Sequence, residues 1–338
     1  MQRLHFRIVQ NPANAVPYSV DHDHPHDHAH AHDHPPAKGR RKREGIYLIS
    51  PAGAVLEPDS VALARERLKA YGYSTVLDRA ALARQQRFAG TDEQRLAAFE
   101  RAAAQRHDIV MAVRGGYGMT RLLHRIDWHR MADSGKRFVG HSDLTAFQLA
   151  LYAQTGTVSY AGPMARYDFG GKKLDELTAE MFCEVMRGEL EVVSFESPDS
   201  DPVDARGVLW GGNLALVTAL LGTPYLPKVR GGILFLEDIN EAPYRIERML
   251  IQLLQAGVLA RQKAIVLGRF TGYRTTDLDG GYDLADVIAW IRRESGVPVI
   301  TGLPFGHVPT KVTLPVGAKV GVATEGGMAY LVLQEHSH

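Results

Sequence analysis

Short apolar runs separated by stretches of helical spacing constrain this chain more than any other feature. Ile46-Tyr-Leu-Ile49, Ile109-Val-Met-Ala-Val113 and Phe138-Val139 carry no polar alternation. Such runs read as strands buried on both faces, the habit of a parallel sheet covered by helices. Between them Val61, Leu63, Ala64 and Leu68 recur with helical spacing after Pro58. Thr91-Asp-Glu-Gln94 forms a capping box ahead of a helix through Leu96 to Ala104, and a further helix is predicted over Leu144 to Ala153. The alternation predicts an α/β domain over residues 45–165.

The flanking segments differ. In Asp21 to Pro36 a histidine falls at every second position from His22 to His34, and Lys38-Gly-Arg-Arg-Lys-Arg43 follows. So little apolar surface does not offset the entropy of ordering, so residues 1–44 read as a mostly flexible, His-rich extension. Neutral imidazoles in such number are ligands for zinc, nickel or copper, but composition alone specifies no site. Residues 166–200 read as a connector around one helix, Leu177 to Met186. Residues 201–338 read as a second domain with strands Ile233-Leu-Phe-Leu236 and Ala264-Ile-Val-Leu267. A helix opened by Pro243 carries Ile246, Met249, Leu250, Leu253 and Leu254 on one face. Lys311 to Leu333, rich in Val, Gly and Pro, reads as short strands and turns.

A length of 338 residues suits two domains, and a hydrophobic share of 45% supplies a sizeable core. A net charge of +1 argues against a nucleic-acid or acidic-membrane partner. The single cysteine, Cys183, excludes an intrachain disulfide. Met1 to Val20 holds no signal-peptide core, and no apolar run is long enough to span a membrane. A cytoplasmic location is the expectation.

Four places carry chemistry-bearing residues. Gly140-His141-Ser142-Asp143 lies where a strand gives way to a helix, so Ser142 would stand near free backbone N–H groups that favour a developing oxyanion. An N-cap serine has the same appearance. Arg114-Gly115-Gly116-Tyr117-Gly118 ends a strand with glycines that admit close backbone approach to a ligand, and it is neither a Walker loop nor G-x-G-x-x-G. Glu237-Asp238 ends the strand Ile233 to Leu236, where open α/β sheets bind ligands; both faces of that strand are apolar, so alternation does not choose between the two acids. Phe305-Gly306-His307-Val308-Pro309 places a histidine on a loop, a candidate base, with His141 as competitor. Cys183, in a helix of the connector, is disfavoured as a nucleophile.

Together these segments resemble the LD-carboxypeptidase family, also called muramoyltetrapeptide carboxypeptidases. The resemblance covers about Ile46 to Leu333. It rests on Ser50-Pro51-Ala52, Arg114-Gly-Gly-Tyr-Gly118 and Gly140-His-Ser-Asp-Leu-Thr145, then Gly211-Gly-Asn-Leu214 and Gly222-Thr-Pro-Tyr225. Leu234-Phe-Leu-Glu-Asp238 and Phe305-Gly-His307 complete it. It implies a Rossmann-like parallel-sheet N-terminal domain and a smaller, β-rich α/β C-terminal domain. It implies Ser142 as nucleophile, His307 as base and Glu237, rather than Asp238, orienting the histidine. Backbone N–H groups of Gly116 and Asp143 would form the oxyanion hole, and no metal or organic cofactor is expected. The implied reaction is release of the terminal D-alanine from murein tetrapeptides during cytoplasmic cell-wall recycling. Arg114, Tyr117, Trp210 and Asn213 are candidates for contacting the substrate. Two features depart from the family pattern: His141 stands where an aromatic residue is usual, and the extension has no counterpart.

Two other functions remain open on these residues. One is a self-immunity hydrolase of the microcin C type on the same fold; the other is a non-enzymatic small-ligand-binding protein. An α/β-hydrolase is disfavoured because the second glycine of G-x-S-x-G is absent. Oligomeric state is not legible in the residues, and the family's habit implies a homodimer.

Overall fold

The computed structural model describes residues 6–9 and 44–333. The first strands are β1 (Phe6–Val9), β2 (Gly45–Ile49), β3 (Ser74–Leu77), β4 (Ile109–Ala112), β5 (Arg137–Gly140) and β6 (Ser159–Ala161). They continue with β7 (Val192–Glu196), β8 (Asp204–Asn213), β9 (Ile233–Ile239), β10 (Ala264–Thr271) and β11 (Val299–Ile300). The last three are β12 (Leu314–Val316), β13 (Lys319–Glu325) and β14 (Met328–Val332). Helices α1 (Pro58–Ala70), α2 (Asp92–Ala104), α3 (Trp128–Asp133) and α4 (Thr145–Thr155) belong to the first half. Helices α5 (Glu176–Met186), α6 (Leu214–Ala219), α7 (Pro243–Gln255) and α8 (Leu284–Ser295) complete the chain.

Two sheets organise these elements. The first has six strands in the order β12-β6-β5-β4-β2-β3, all parallel except β12. Its β2 and β4 are buried at every residue, which is why their sequences lack alternation. The second has eight strands in the order β1-β7-β14-β13-β8-β9-β10-β11 and is mixed, with β8 to β11 parallel. The mixed α/β class expected from the sequence is thus present, with parallel strands at the heart of both sheets.

Local signals act as the sequence suggests. Thr91 and Gln94 close a reciprocal capping box that starts α2. Pro243 sits in the first turn of α7, and Ile246, Leu250 and Leu253 bury one stripe of that helix. Each such side chain contributes roughly 1.5–3 kcal/mol relative to exposure.

Three departures from the expected boundaries concern the sheet edges. Phe6–Val9, expected within a flexible extension, pairs in parallel with β7. The segment expected as a connector supplies β7 itself, paired antiparallel with β14 and so part of the second sheet. Conversely β12, near the C-terminus, crosses to the first sheet and pairs with β6. Local composition does not register such pairings, because their hydrogen-bond partners are far away in sequence. The run His22 to His34 lies outside the described residues.

Candidate active site

The site forms where the C-terminal ends of β4 and β5 face strand ends of the second sheet. After β5 the chain turns sharply at Ser142, whose φ of +62° is left-handed for a non-glycine residue. That conformation costs an L-residue about 1–2 kcal/mol. It is followed by a short 3₁₀ turn, Ser142–Leu144, that leads into α4. The G-x-S-x-G pattern is missing, yet the backbone makes the same kind of strained strand-to-helix corner.

Ser142 Oγ lies 3.1 Å from His307 Nε2. On the far side of the ring, His307 Nδ1 lies 2.8 Å from Glu237 Oε2. A carboxylate oxygen accepts, so Nδ1 carries the proton and Nε2 is left as acceptor for the serine hydroxyl. Glu237 is fully buried, and its second oxygen, Oε1, accepts from Asn213 Nδ2 at 3.2 Å. Asp238 points elsewhere: it accepts from the N–H of Ala215 and from Asn213 Nδ2, both at 2.9 Å. Burial pushes the Asp238 carboxyl up to about 6. Of the two acids between which strand alternation does not choose, only Glu237 meets the histidine.

The glycine turn stands over the serine. A Cβ on Gly115 would fall 2.8 Å from Ser142 Oγ and 3.4 Å from the backbone nitrogen of Asp143. Gly115 O accepts from Gly53 N at 3.0 Å, and the trans-planar peptide sends the Gly116 N–H the opposite way. The Asp143 side chain is buried; its Oδ2 accepts from Met119 N at 2.8 Å, tying the serine corner to the end of the glycine turn. Burial lifts its carboxyl to about 6.

The competing base, His141, is also buried. Its Nδ1 donates to Gly162 O at 2.9 Å, and its ring meets His307 edge-on with centroids 5.2 Å apart. Burial first, then the charge of Lys311, holds the imidazole well below its ordinary pKa, so it stays neutral.

Of the residues expected to contact substrate, Tyr117 is 45% exposed at the rim, its ring tilted against Phe88. Arg114 Nη1 donates to Ala54 O at 2.7 Å, bracing the loop behind the glycine turn. Trp210 and Asn213 are both buried side chains. Trp210 is 1% exposed and donates Nε1 to Gln262 at 2.9 Å within the second-domain core. Asn213 is buried, with its amide consumed by Glu237, Asp238 and the Leu216 N–H. Arg95 was not singled out by sequence. It is fully buried and donates Nη1 to Pro51 O and Gly118 O, both at 3.0 Å, fastening together the loops after β2 and β4. Its only sequence trace is an arginine on the apolar face of α2.

Comparison with known proteins identifies the family. The family described as LD-carboxypeptidase N-terminal domain matches residues 46–162, and that described as LD-carboxypeptidase C-terminal domain matches residues 206–322. A probable murein peptide carboxypeptidase of Bacillus subtilis is 33% identical over 294 residues, covering 85% of this chain and 91% of that protein. The chain belongs to the LD-carboxypeptidase family. Among solved structures, the muramoyltetrapeptide carboxypeptidase of Oxalobacter formigenes is 43% identical with a TM-score of 0.82, covering 87% of this chain and all of that one. The protein MccF, solved with glutamyl sulfamoyl guanosine, has a TM-score of 0.79 over 87% of this chain and 97% of its own; at 22% identity the likeness is one of fold. As a member of this LD-carboxypeptidase family, the chain is a serine-type carboxypeptidase by kind. Among the described residues no helix is long and apolar enough to cross a membrane. Nor do the described residues gather three or more His, Cys, Asp or Glu side chains able to hold a metal ion.

Proposed function

We propose that this LD-carboxypeptidase releases the terminal D-alanine from murein tetrapeptides, with Ser142 as nucleophile, His307 as base and Glu237 as the residue that orients the histidine. The observation that carries the reading is the continuous line from Ser142 Oγ through His307 to Glu237, at 3.1 and 2.8 Å. The murein substrate is supported by the names of the Bacillus and Oxalobacter relatives.

In the proposed reaction His307 Nε2 takes the serine proton as Oγ attacks the carbonyl carbon of the scissile bond. Charge collects on the carbonyl oxygen, where the N–H groups of Gly116 and Asp143 stabilise it. The C–N bond then breaks as the imidazolium returns its proton to the departing D-alanine amine. Water, deprotonated by the same histidine, hydrolyses the ester and regenerates the serine. Glu237 holds the ring in one tautomer and offsets its transient positive charge. We assign the reaction to cell-wall recycling in the cytoplasm, a setting compatible with a single, buried cysteine.

Incubation of wild type and Ser142→Ala with a tetrapeptide containing meso-diaminopimelate, followed by mass spectrometry of free D-alanine, tests the proposal. Release by wild type alone is expected. Release by both proteins would remove Ser142 from the nucleophile role. Release by neither would shift the substrate toward aminoacyl-sulfamoyl nucleosides such as the glutamyl sulfamoyl guanosine bound by MccF.

A further inference from the structure

The serine and its base come from different sheets, so their contact is only as good as the seating of the loop that carries His307. That loop runs from Gly306 to Thr313 and delivers the chain into β12. Three consecutive residues in it are tied to the segment leading into and opening α5. Pro309 O accepts from Thr178 Oγ1 at 2.9 Å, Thr310 Oγ1 donates to Asp175 Oδ2 at 2.6 Å, and Lys311 N donates to Thr178 Oγ1 at 2.9 Å.

A further tie is ionic. The Lys311 side chain turns inward, 2% exposed, and its ammonium pairs with Asp168, itself 9% exposed. The second Asp168 oxygen accepts from Met164 N at 2.7 Å, anchoring the pair to the turn that follows β6. An exposed ion pair of this kind contributes little, whereas a buried one must overcome the desolvation of two charges. Apolar side chains would fill the same space at no such cost, so stability alone gives weak reason for the pair. Its placement gives a better one: Lys311 stands four residues beyond His307. Its charge is also felt at His141, the ring packed edge-on against His307. Burial denies Lys311 any contact with substrate.

We propose that the buried Asp168–Lys311 pair is a latch that seats the His307 loop against Ser142, acting as a positioning pair for acyl transfer and not in substrate binding. The inference rests on the roles proposed above for Ser142 and His307.

The test compares wild type, Asp168→Asn and Thr310→Val for the rate at which a fluorophosphonate labels Ser142. D-alanine release is measured in parallel and normalised to the number of labelled sites. Asp168→Asn is expected to slow labelling and lower kcat per site by about tenfold or more, with KM within about twofold, because small misplacements of reacting groups are costly. Thr310→Val, which removes one half-buried hydroxyl, is expected to give a smaller loss in the same direction. A purely structural pair would instead reduce the number of labelled sites and the melting temperature while the rate per site stayed at the wild-type value; that result overturns the proposal. Should Asp168→Asn fail to fold, Lys311→Met, which removes the same ion pair from its other side, decides, and an unchanged labelling rate overturns it. Wild type that is labelled at Ser142 yet releases no D-alanine would sink the murein substrate alone, because the labelling rates still test the latch. Wild type that is not labelled overturns both.

Discussion

Asn213 Nδ2 reaches Glu237 Oε1 across 3.2 Å, from a side chain whose oxygen caps the first turn of α6. Because Glu237 Oε2 is engaged by His307, the two contacts together leave the carboxylate no freedom to rotate. Asn213→Ala would strand Oε1 in a dry environment and let the carboxylate swing. The expected outcome is a fall in kcat of about ten- to a hundredfold with KM little changed, since the group acts through Glu237 and His307. Loss of the cap would lower stability by about 1 kcal/mol, visible as a small drop in melting temperature. An unchanged kcat would remove Asn213 from the positioning of the base.

The neighbouring acids separate under the same assay. Glu237→Gln presents an amide that can offer N–H toward His307 Nδ1, which favours the wrong tautomer. A loss in kcat on the order of a thousandfold or more is expected, with binding nearly intact. Steady-state kinetics of Glu237→Gln beside Asp238→Asn checks this. Equal losses in the two variants would contradict the assignment of Glu237.

Asp238 leaves its mark on stability. Its folded-state pKa, about 6, lies above the usual carboxylate value of 3.8. Between those two values the native protein keeps a proton that the unfolded chain has released, so this group's contribution becomes less favourable as pH rises from about 4 to about 6. The difference between the two values corresponds to about 3 kcal/mol. Asp238→Asn titrates nothing, but its amide nitrogen would oppose a backbone donor, at a cost of about 1–3 kcal/mol. The variant is therefore expected to be less stable than wild type near pH 4, with the gap narrowing or reversing toward pH 7. Urea unfolding at the two pH values measures it. Parallel curves would show that burial does not hold this carboxyl protonated. The difference between proteins is needed because Asp143, also near 6, adds the same trend to both.

How much of this was legible beforehand varies from residue to residue. Ser142, His307 and the glycine turn stand in short patterns with marked local chemistry, and the family resemblance named their roles. The choice of Glu237 over Asp238 needed that resemblance, because β9 is buried on both faces and its alternation is silent. Asn213 was singled out but given a place at the substrate; what it serves depends on β8 and β9 lying side by side. Lys311 and Asp168 were invisible, since a buried lysine looks like any other lysine until its partner, far away in the chain, is found. The same holds for β1 and β7, whose pairing is a property of the second sheet and not of their own composition.

Gly115→Ala gives the sharpest test of the site's geometry. The backbone at Gly115 is not among the positive-φ glycines, so alanine is tolerated there conformationally. What it meets is the serine itself: the added carbon would stand 2.8 Å from both Cβ and Oγ of Ser142, closer than carbon and oxygen approach without something moving. Ser142 is held by its corner and cannot retreat without leaving His307. The overlap is expected to lower stability by about 1–3 kcal/mol, while kcat and fluorophosphonate labelling per folded molecule fall together, by about a hundredfold. KM would follow only if the substrate rests on the same turn. If labelling proceeds at the wild-type rate, the glycine turn does not stand over the serine hydroxyl, and the oxyanion site proposed at Gly116 and Asp143 falls with it.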